Sequence, residues 1–413
     1  MIARALAGIA LSLLAVTACS SNTDSSNSLG GETTGTTKQA VIKGKPSDAS
    51  QDAVVLIVYY DPAHRGFGQC TGTLLAPRLV LTARHCVSDT DRYAACTVDG
   101  EPIAAGKIFS DNKADKMYIF TGKDRPQFGY REEVKPAGVG VKLLHDGAKN
   151  LCNHDIALIV LKEPINDVPI APIRLDEDVV KGEKITAVGW GVTDKTPQPD
   201  VRQQRKGIKI NAVGPAKNEI PSVPSNEFQV GESICSGDSG GPGIAEETGA
   251  VVGVVSRGGN PEGGDPNSQN PAANCIDGHN LYTKIAPFKD MIMEGFELAE
   301  AEPWLEGGPD PRKLKVGSAC SEGDECRSSL CLADPSQAGA ATCAQPCAEA
   351  SECGEGNTCA SEGENMVCRV QPPKSEEGGM CSGAPSRPAG AGTAGIVLGL
   401  AALVAGFGRR RRK

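Results

Sequence analysis

Between residues 41 and 301 the chain alternates short β-rich runs with turn residues, and this pattern restricts the possible folds more than any other feature. The clearest runs are separated by Gly, Pro, Asn and Asp and cover Val54–Tyr60, Leu79–Thr82, Ala157–Leu161 and Val251–Val255. A helical spacing of apolar residues is clear over Ile285–Ala301. Many short strands followed by one helix predict an all-β barrel domain.

The composition is that of an exported protein. The chain has 413 residues, a length that suits one large domain with smaller appendages. It carries 42 basic against 51 acidic residues, which argues against a nucleic-acid partner. Sixteen cysteines predict disulfides formed in an oxidising compartment.

The N-terminus carries an export signal. Arg4 precedes the apolar stretch Ala5–Val16, which is too short for a resident membrane helix. The next residues, Val16–Cys19, resemble a bacterial lipobox, in which Cys19 is acylated and becomes the mature N-terminus. Ordinary cleavage after Ala18 is the alternative. We assign residues 1–19 to the signal peptide and the polar residues 20–40 to a flexible tether or propeptide.

The C-terminus carries a second signal. Gly390–Gly408 is uncharged, apolar and long enough to span a bilayer, and four arginines and a lysine follow it. With Cys381 upstream, these features resemble the MYXO-CTERM class of surface-sorting tails. The resemblance implies a linker with its sorting cysteine over 371–389 and an apolar sorting helix with its arginine run over 390–413. A permanent single-pass anchor is the alternative.

A compact cysteine-rich module occupies residues 317–370, after a linker over 302–316. Its few apolar residues cannot form a core, so disulfides must supply its order. Eight cysteines allow four bridges, whose connectivity the sequence leaves open: Cys320, Cys326, Cys331, Cys343, Cys347, Cys353, Cys359 and Cys368. The module resembles small extracellular disulfide modules of the EGF-like kind. The alternative of a zinc site is disfavoured because the segment lacks histidine.

Three separated motifs contain the residues needed for nucleophilic catalysis. Ser239 lies in the glycine-rich turn Cys235–Pro242, His85 precedes Cys86, and Asp155 begins an apolar run. This order resembles the trypsin/chymotrypsin family of serine proteases. The resemblance covers roughly residues 41–298 and implies two packed six-stranded antiparallel β-barrels with a C-terminal helix. The active site would lie between the barrels, in a domain over 41–301.

The resemblance also implies a role for each site residue. Ser239 would attack the scissile carbonyl, His85 would act as general base and then acid, and Asp155 would orient the imidazole. The N–H groups of Gly237 and Ser239 would form the oxyanion hole. Ser256 stands where the family's serine supports the triad aspartate.

Cysteine pairing follows the same resemblance. It implies a bridge from Cys70 to Cys86 beside the histidine and one from Cys235 to Cys275 beside the nucleophile. With Cys19 and Cys381 set aside for processing, the remaining pair is Cys96–Cys152.

The residues from Val41 resemble the mature start of the family's activated enzymes. Cleavage between Ala40 and Val41 would free an α-amino group able to pair with Asp238 and lock the nucleophile loop. Lys43 departs from the glycine usual at that position. We therefore expect a zymogen.

Several positions predict which substrate side chains the primary pocket accepts. Ser233, six residues before the nucleophile, would lie at the base of the primary pocket, where trypsin-like enzymes have aspartate. Gly258 matches a pocket-wall glycine, whereas Asn280 replaces a smaller residue and narrows the site. Arg257 stands where an aromatic residue is common. These residues favour medium-sized apolar or polar substrate side chains.

Together these features predict a serine endopeptidase of the cell envelope or outer surface, with a monomeric catalytic domain that acts on proteins or peptides. Cys19 lipid or the apolar helix over 390–408 would attach it to the membrane. We expect no cofactor, metal or nucleic-acid partner. The alternative is a non-catalytic surface protein that reuses the protease fold for adhesion or recognition.

Overall fold

The computed structural model describes residues 41–128, 134–193, 196–263, 268–334, 339–362 and 365–370. The signal peptide and tether with Cys19, the sorting cysteine Cys381 and the apolar C-terminal helix lie outside the described residues. Within the described ranges, no helix combines the length and apolar character needed to cross a bilayer.

The first half of the described chain contains eleven strands. They are β1 Lys45–Pro46, β2 Val54–Asp61, β3 Gly66–Ala76, β4 Leu79–Thr82, β5 Ser88–Thr90, β6 Ala94–Cys96, β7 Pro102–Ala105, β8 Ile108–Asp111, β9 Met117–Phe120, β10 Gly138–Leu144 and β11 Ala157–Leu161. Six of them close an antiparallel barrel in the order β10-β11-β4-β3-β2-β9. Its interior is filled by aliphatic side chains that alternate along these strands, including Val55, Ile57, Leu74, Val80, Ile119 and Ile159.

The second half forms another six-stranded barrel. Its strands are β12 Lys184–Gly189, β13 Gln203–Val213, β14 Glu227–Val230, β15 Pro242–Ala245, β16 Val251–Gly259 and β17 His279–Lys284. The order β13-β12-β15-β16-β17-β14 is closed by pairing of β13 with β14, and β1 adds to the outer edge of β13. Phe228 and Tyr282 stack inside this barrel with ring centroids 5.1 Å apart.

The helix α1, Lys289–Leu298, covers one side of the first barrel. It is shorter than the predicted Ile285–Ala301, because residues Ala286–Phe288 form a 3₁₀ turn that contains Pro287. Ile292 and Phe296 pack with leucines of β4 and β11. Gly295 permits the close approach, since a Cβ there would lie 2.5 Å from a methyl group of Leu158.

The C-terminal module consists of two disulfide-stapled halves. In each half the first cysteine pairs with the third and the second with the fourth: Cys320–Cys331 and Cys326–Cys343, then Cys347–Cys359 and Cys353–Cys368. Five short strands complete it: β18 Cys331–Ala333, β19 Ala341–Cys343, β20 Gln345–Pro346, β21 Asn357–Glu362 and β22 Asn365–Val370. Together with the two barrels and the helix, this confirms the predicted fold over the described residues.

Candidate active site

His85 lies in a short turn that is bonded to neighbouring strands on two sides. The turn, Arg84–Cys86, follows β4, and the disulfide Cys70–Cys86 attaches it to β3. Arg84 is 2% exposed and pairs with Asp111 on β8 at 2.6 Å. These contacts hold the backbone that carries the imidazole.

Asp155 lies just before β11 and is fully buried. One carboxylate oxygen accepts the backbone N–H of His85 at 3.0 Å, and the other lies 2.8 Å from His85 Nδ1. The Ser256 hydroxyl donates to the second oxygen at 2.6 Å. Because an ionised carboxylate only accepts, Nδ1 of a neutral His85 carries the proton and Nε2 is left as the acceptor.

The charge state of Asp155 follows from these contacts. Burial raises the pKa of Asp155, but the electrostatic attraction of the His85 ring and the hydrogen bonds from His85 and Ser256 outweigh burial. The pKa of Asp155 therefore lies below its usual value. The carboxylate remains ionised at neutral pH although no solvent reaches it.

Ser239 is held by both barrels. Its carbonyl accepts the N–H of Thr71 on β3 at 2.8 Å, while the N–H of Gly240 donates to Val255 on β16 at 2.9 Å. The Thr71 hydroxyl donates to the carbonyl of Gly237 at 3.0 Å. The disulfide Cys235–Cys275 anchors the start of the loop. The nucleophile loop of the second barrel is thus fastened to the first.

Gly240 is required by the way this loop packs. Its φ is 78°, and a Cβ would lie 2.1 Å from the Thr82 hydroxyl and 2.5 Å from the Thr71 carbonyl oxygen. Neither the conformation nor the space suits a side chain. The glycine lets the loop lie against the strands that lead to His85.

His85 and Ser239 line one cavity of about 570 Å³. Nε2 of His85 is buried and has no hydrogen-bond partner among the described residues. Apart from these two residues, the wall contains both apolar and charged side chains, among them Tyr59, Asp61 and Lys113. The structure therefore brings two of the three predicted triad residues to one cavity, with Asp155 buried behind the imidazole of His85.

Asp238 is a second buried carboxylate, with a different environment. It accepts the N–H groups of Cys235 and Gly191, each at 3.0 Å, and also the N–H of Val41. Burial raises the pKa of Asp238 well above its usual range, despite these amides and the charge of Arg125. Unlike Asp155, this carboxylate lacks enough positive charge to remain readily ionised.

The predicted pocket residues lie together in the second barrel. Ser233 and Asn280 are almost completely buried, and the Asn280 amide donates to Ser233 Oγ at 3.3 Å and to the Gly231 carbonyl at 3.0 Å. Gly258 pairs with Asn280 across β16 and β17. A Cβ at Gly258 would lie 2.1 Å from Asn280 Oδ1, so the asparagine occupies the space beside the glycine.

Sequence reasoning missed the partner of Arg257. The guanidinium forms two hydrogen bonds with Glu227 on β14, at 2.6 and 2.8 Å, and both side chains are buried. A signal that could have found it is the presence of a glutamate and an arginine, each beside apolar residues that favour a buried strand.

A metal site is not formed by the clusters of potential ligands in the described residues. Every cysteine in these clusters is in a disulfide, either with another cysteine of the same cluster or with a cysteine outside it. Disulfide sulfurs are not the thiolates that bind metals.

Comparison with known proteins identifies the family of this chain. The family model described as Trypsin matches residues 41–292, more than half of the chain. The chain belongs to the trypsin family. It is therefore a trypsin-like serine endopeptidase, and proteins or peptides are its substrate class. The seven disulfides within the described residues are typical of exported proteins.

The match to this chain covers most of the length of each of three relatives. A trypsin from Saccharopolyspora erythraea is 23% identical over 233 residues, which are 54% of this chain and 86% of the relative. A trypsin from Phaedon cochleariae is 26% identical over 253 residues, 57% of this chain and 81% of the relative. The snake venom serine protease serpentokallikrein-2 from Protobothrops mucrosquamatus is 29% identical over 272 residues, which are 62% of this chain and 86% of the relative.

We expect the stability that Asp155 provides to this trypsin-like domain to decrease in acid. Its folded pKa lies below the value of about 3.9 in an unfolded chain. The stabilisation is therefore complete above about pH 5 and is lost as the pH falls through the folded pKa. Denaturant unfolding of the wild type and Asp155→Asn from about pH 7 to pH 3 measures the difference in unfolding free energy.

The matched control is Asp115→Asn, which removes an exposed carboxylate. The difference in unfolding free energy between Asp115→Asn and the wild type should change much less between about pH 7 and pH 3. An advantage of Asp155 over asparagine that grows toward low pH would contradict the expected direction.

Proposed function

We propose that the trypsin-like domain hydrolyses peptide bonds through an acyl-enzyme on Ser239, with His85 and Asp155 as the other triad members. The observation that carries the proposal is the buried Asp155 carboxylate, which is bonded to both the backbone and Nδ1 of His85. That bonding leaves Nε2 of the same ring as an acceptor at a cavity that Ser239 also lines.

In this mechanism Ser239 Oγ attacks the scissile carbonyl while His85 Nε2 takes its proton. Asp155 holds the Nδ1–H and stabilises the imidazolium, which then protonates the leaving amine. Water then attacks the acyl-enzyme while His85 Nε2 takes its proton, and the imidazolium returns a proton to Ser239 Oγ as the acyl group leaves. The Asp155 carboxylate can stay ionised without contact with water, because three hydrogen-bond donors already stabilise its negative charge.

The N–H groups of Gly237 and Ser239 would stabilise the tetrahedral oxyanion. The neighbouring amides are already used, since Asp238 donates to the Cys235 carbonyl at 3.2 Å and Gly240 to Val255. Among the described residues, the amides of Gly237 and Ser239 have no acceptor. Gly237 has a φ of 94°, a conformation that suits glycine and orients its N–H differently from that of a β residue.

We expect Ser239→Ala to lower kcat/KM by roughly 10⁴- to 10⁶-fold and to prevent labelling by an organofluorophosphonate. His85→Ala should reduce the labelling rate strongly, because the serine loses its base. Peptide hydrolysis and mass spectrometry of the labelled chain, started at Val41, measure both effects.

His145→Ala is the matched control, since it removes a histidine that bonds to Asp111 rather than to Asp155. It should label at the wild-type rate. Absence of labelling in the wild type, or full hydrolysis by Ser239→Ala, would favour the non-catalytic alternative and contradict the proposed mechanism.

The chain is proposed to be made as a zymogen that is activated near Ala40/Val41. Val41 and Ile42 are completely buried, and the Val41 amide nitrogen already bonds to Asp238. A charged α-amino group at that nitrogen would supply the cation that Asp238 lacks. Lys43 has a φ of 55°, in the region that favours glycine, which supports the register despite the lysine.

Retaining Ala40 before Val41 should lower kcat/KM by at least about 10²-fold relative to a chain that starts at Val41. The additional residue converts the amine into an amide, so Asp238 stays without a full counter-charge and the oxyanion hole is less well formed. Asp238→Asn should remove the advantage of the Val41 start while the domain remains folded by circular dichroism. Equal activity of the two starts would refute activation at this bond.

The primary pocket is proposed to accept medium-sized apolar or polar side chains. Ser233 offers a hydroxyl rather than a carboxylate, and buried Asn280 occupies space beside Gly258. Asn280→Gly should therefore raise kcat/KM for substrates with a large aromatic side chain before the cleaved bond, by about tenfold or more. Cleavage of a mixed peptide library by both proteins measures the change, and an unaltered preference would show that Asn280 does not limit the pocket.

The exported protein is also proposed to be attached to the cell envelope or outer surface. The support is the sequence of the two termini, with Cys19 as the lipidation residue and Cys381 beside the apolar segment 390–408 as the sorting signal. If activation removes residues before Val41, only the C-terminal signal keeps the enzyme attached.

A further inference from the structure

A buried ion pair lies next to the residues that hold Asp155. Arg257 Nη1 and Nη2 donate to the two carboxylate oxygens of Glu227 at 2.8 and 2.6 Å, and the side chains are 1% and 0% exposed. Neither residue lines the cavity that His85 and Ser239 share. The contacts of the pair lead instead to Ser256 and Asn153, which lie next to the triad aspartate in space or in sequence.

A β-bulge directs this pair toward the triad. On β16, Val255 pairs with Tyr282 and Arg257 pairs with the next residue of β17, Leu281, so Ser256 is the additional residue. A bulge of this kind changes the direction of a side chain relative to the regular alternation. As a result Arg257 Nη1 lies 3.2 Å from the hydroxyl of its own neighbour, Ser256.

The direction of the Ser256 hydroxyl follows from the chemistry of its two partners. A guanidinium only donates, so Ser256 Oγ must accept from Arg257. The single hydroxyl hydrogen is then available for the Asp155 carboxylate, 2.6 Å away. Arg257 thus occupies an acceptor position of Ser256 Oγ and restricts the directions in which the hydroxyl hydrogen can point. The planar bidentate pairing with Glu227 keeps the guanidinium in the orientation that this requires.

Glu227 also holds the chain that leads to Asp155. Its Oε1 accepts the N–H of Asn153 at 3.0 Å, and the Asn153 side chain accepts the N–H of Asn226 at 2.7 Å. One carboxylate thus fixes both the segment before the triad aspartate and, through Arg257, the hydroxyl that donates to that aspartate.

We propose that Arg257 and Glu227 are positioning residues of the catalytic site, which set the Ser256 hydroxyl and through it the orientation of Asp155 toward His85. This rests on the proposed function of the triad. The pair acts before and independently of substrate binding, so its loss lowers kcat and leaves KM nearly unchanged.

A double-mutant cycle tests whether the pair acts through Ser256. Arg257→Met combined with Glu227→Gln removes both buried charges together and keeps an amide oxygen to accept the Asn153 N–H. In the wild-type background this double variant should lower kcat about tenfold with KM within about twofold. In a Ser256→Ala background the same two changes should alter kcat less than about twofold, because the hydroxyl they orient is gone.

Arg257→Lys is a second variant, which keeps the proposal testable if the double variant does not fold. It keeps the charge opposite Glu227 but cannot form two parallel bonds and reach Ser256 as well. We expect a melting temperature close to that of the wild type together with the reduced kcat. A folded Arg257→Lys protein with wild-type kcat would overturn the proposal, as would an equal loss of kcat with and without the Ser256 hydroxyl.

A readout that needs no turnover separates this proposal from that of the triad. The NMR signal of the His85 Nδ1 proton reports its bond to Asp155 in a Ser239→Ala background. The signal should move in the Arg257→Met/Glu227→Gln protein and stay unmoved by these changes once Ser256 is alanine. If Ser239→Ala hydrolyses peptides, the triad proposal fails while this cycle still decides the role of the pair; a signal that does not move contradicts that role.

Discussion

The buried carboxylate of Asp155 is the point at which the two barrels depend on each other. The residue lies just before β11 of the first barrel, yet Ser256 and Thr283, which bond to its side chain and its carbonyl, belong to the second. Burying an ion costs several kcal/mol, and hydrogen bonds to a charged group contribute about 1.5–3 kcal/mol each. Three donors are therefore sufficient to offset the burial, but only when both barrels are packed in their final positions.

The same dependence applies to the nucleophile loop. Thr71 of the first barrel bonds to two successive parts of that loop, through its amide and through its hydroxyl. The loop comes from the second barrel, so neither barrel contains a complete site. A relative shift of the barrels would break the contacts of Thr71 and Ser256 at the same time, which joins the stability of the interface to the geometry of catalysis.

Much of the fold was predictable because its signals are local. The four β-rich runs predict strands that the structure contains, the predicted helix matches α1 to within a few residues, and the three motifs have recognisable flanking residues. The Arg257–Glu227 pair could not be predicted in this way. Its existence depends on a one-residue bulge at Ser256 and on the pairing of β16 with β17, and a register is a property of the folded sheet. The disulfide pattern of the C-terminal module was equally hidden, since eight cysteines permit many pairings.

The segment predicted as a linker also shows what local patterns omit. Its Pro- and Gly-containing composition suggests a free connection, but Ile173 exchanges backbone hydrogen bonds with Trp304 and Glu306. Arg174 adds a bidentate pair with Glu306, at 2.6 and 2.8 Å. These contacts attach the linker to the same body as the triad, and the N-terminal segment enters that body at Val41. Cleavage before Val41 would leave this C-terminal attachment intact, so the proposed activation and the proposed surface attachment are physically compatible in one chain.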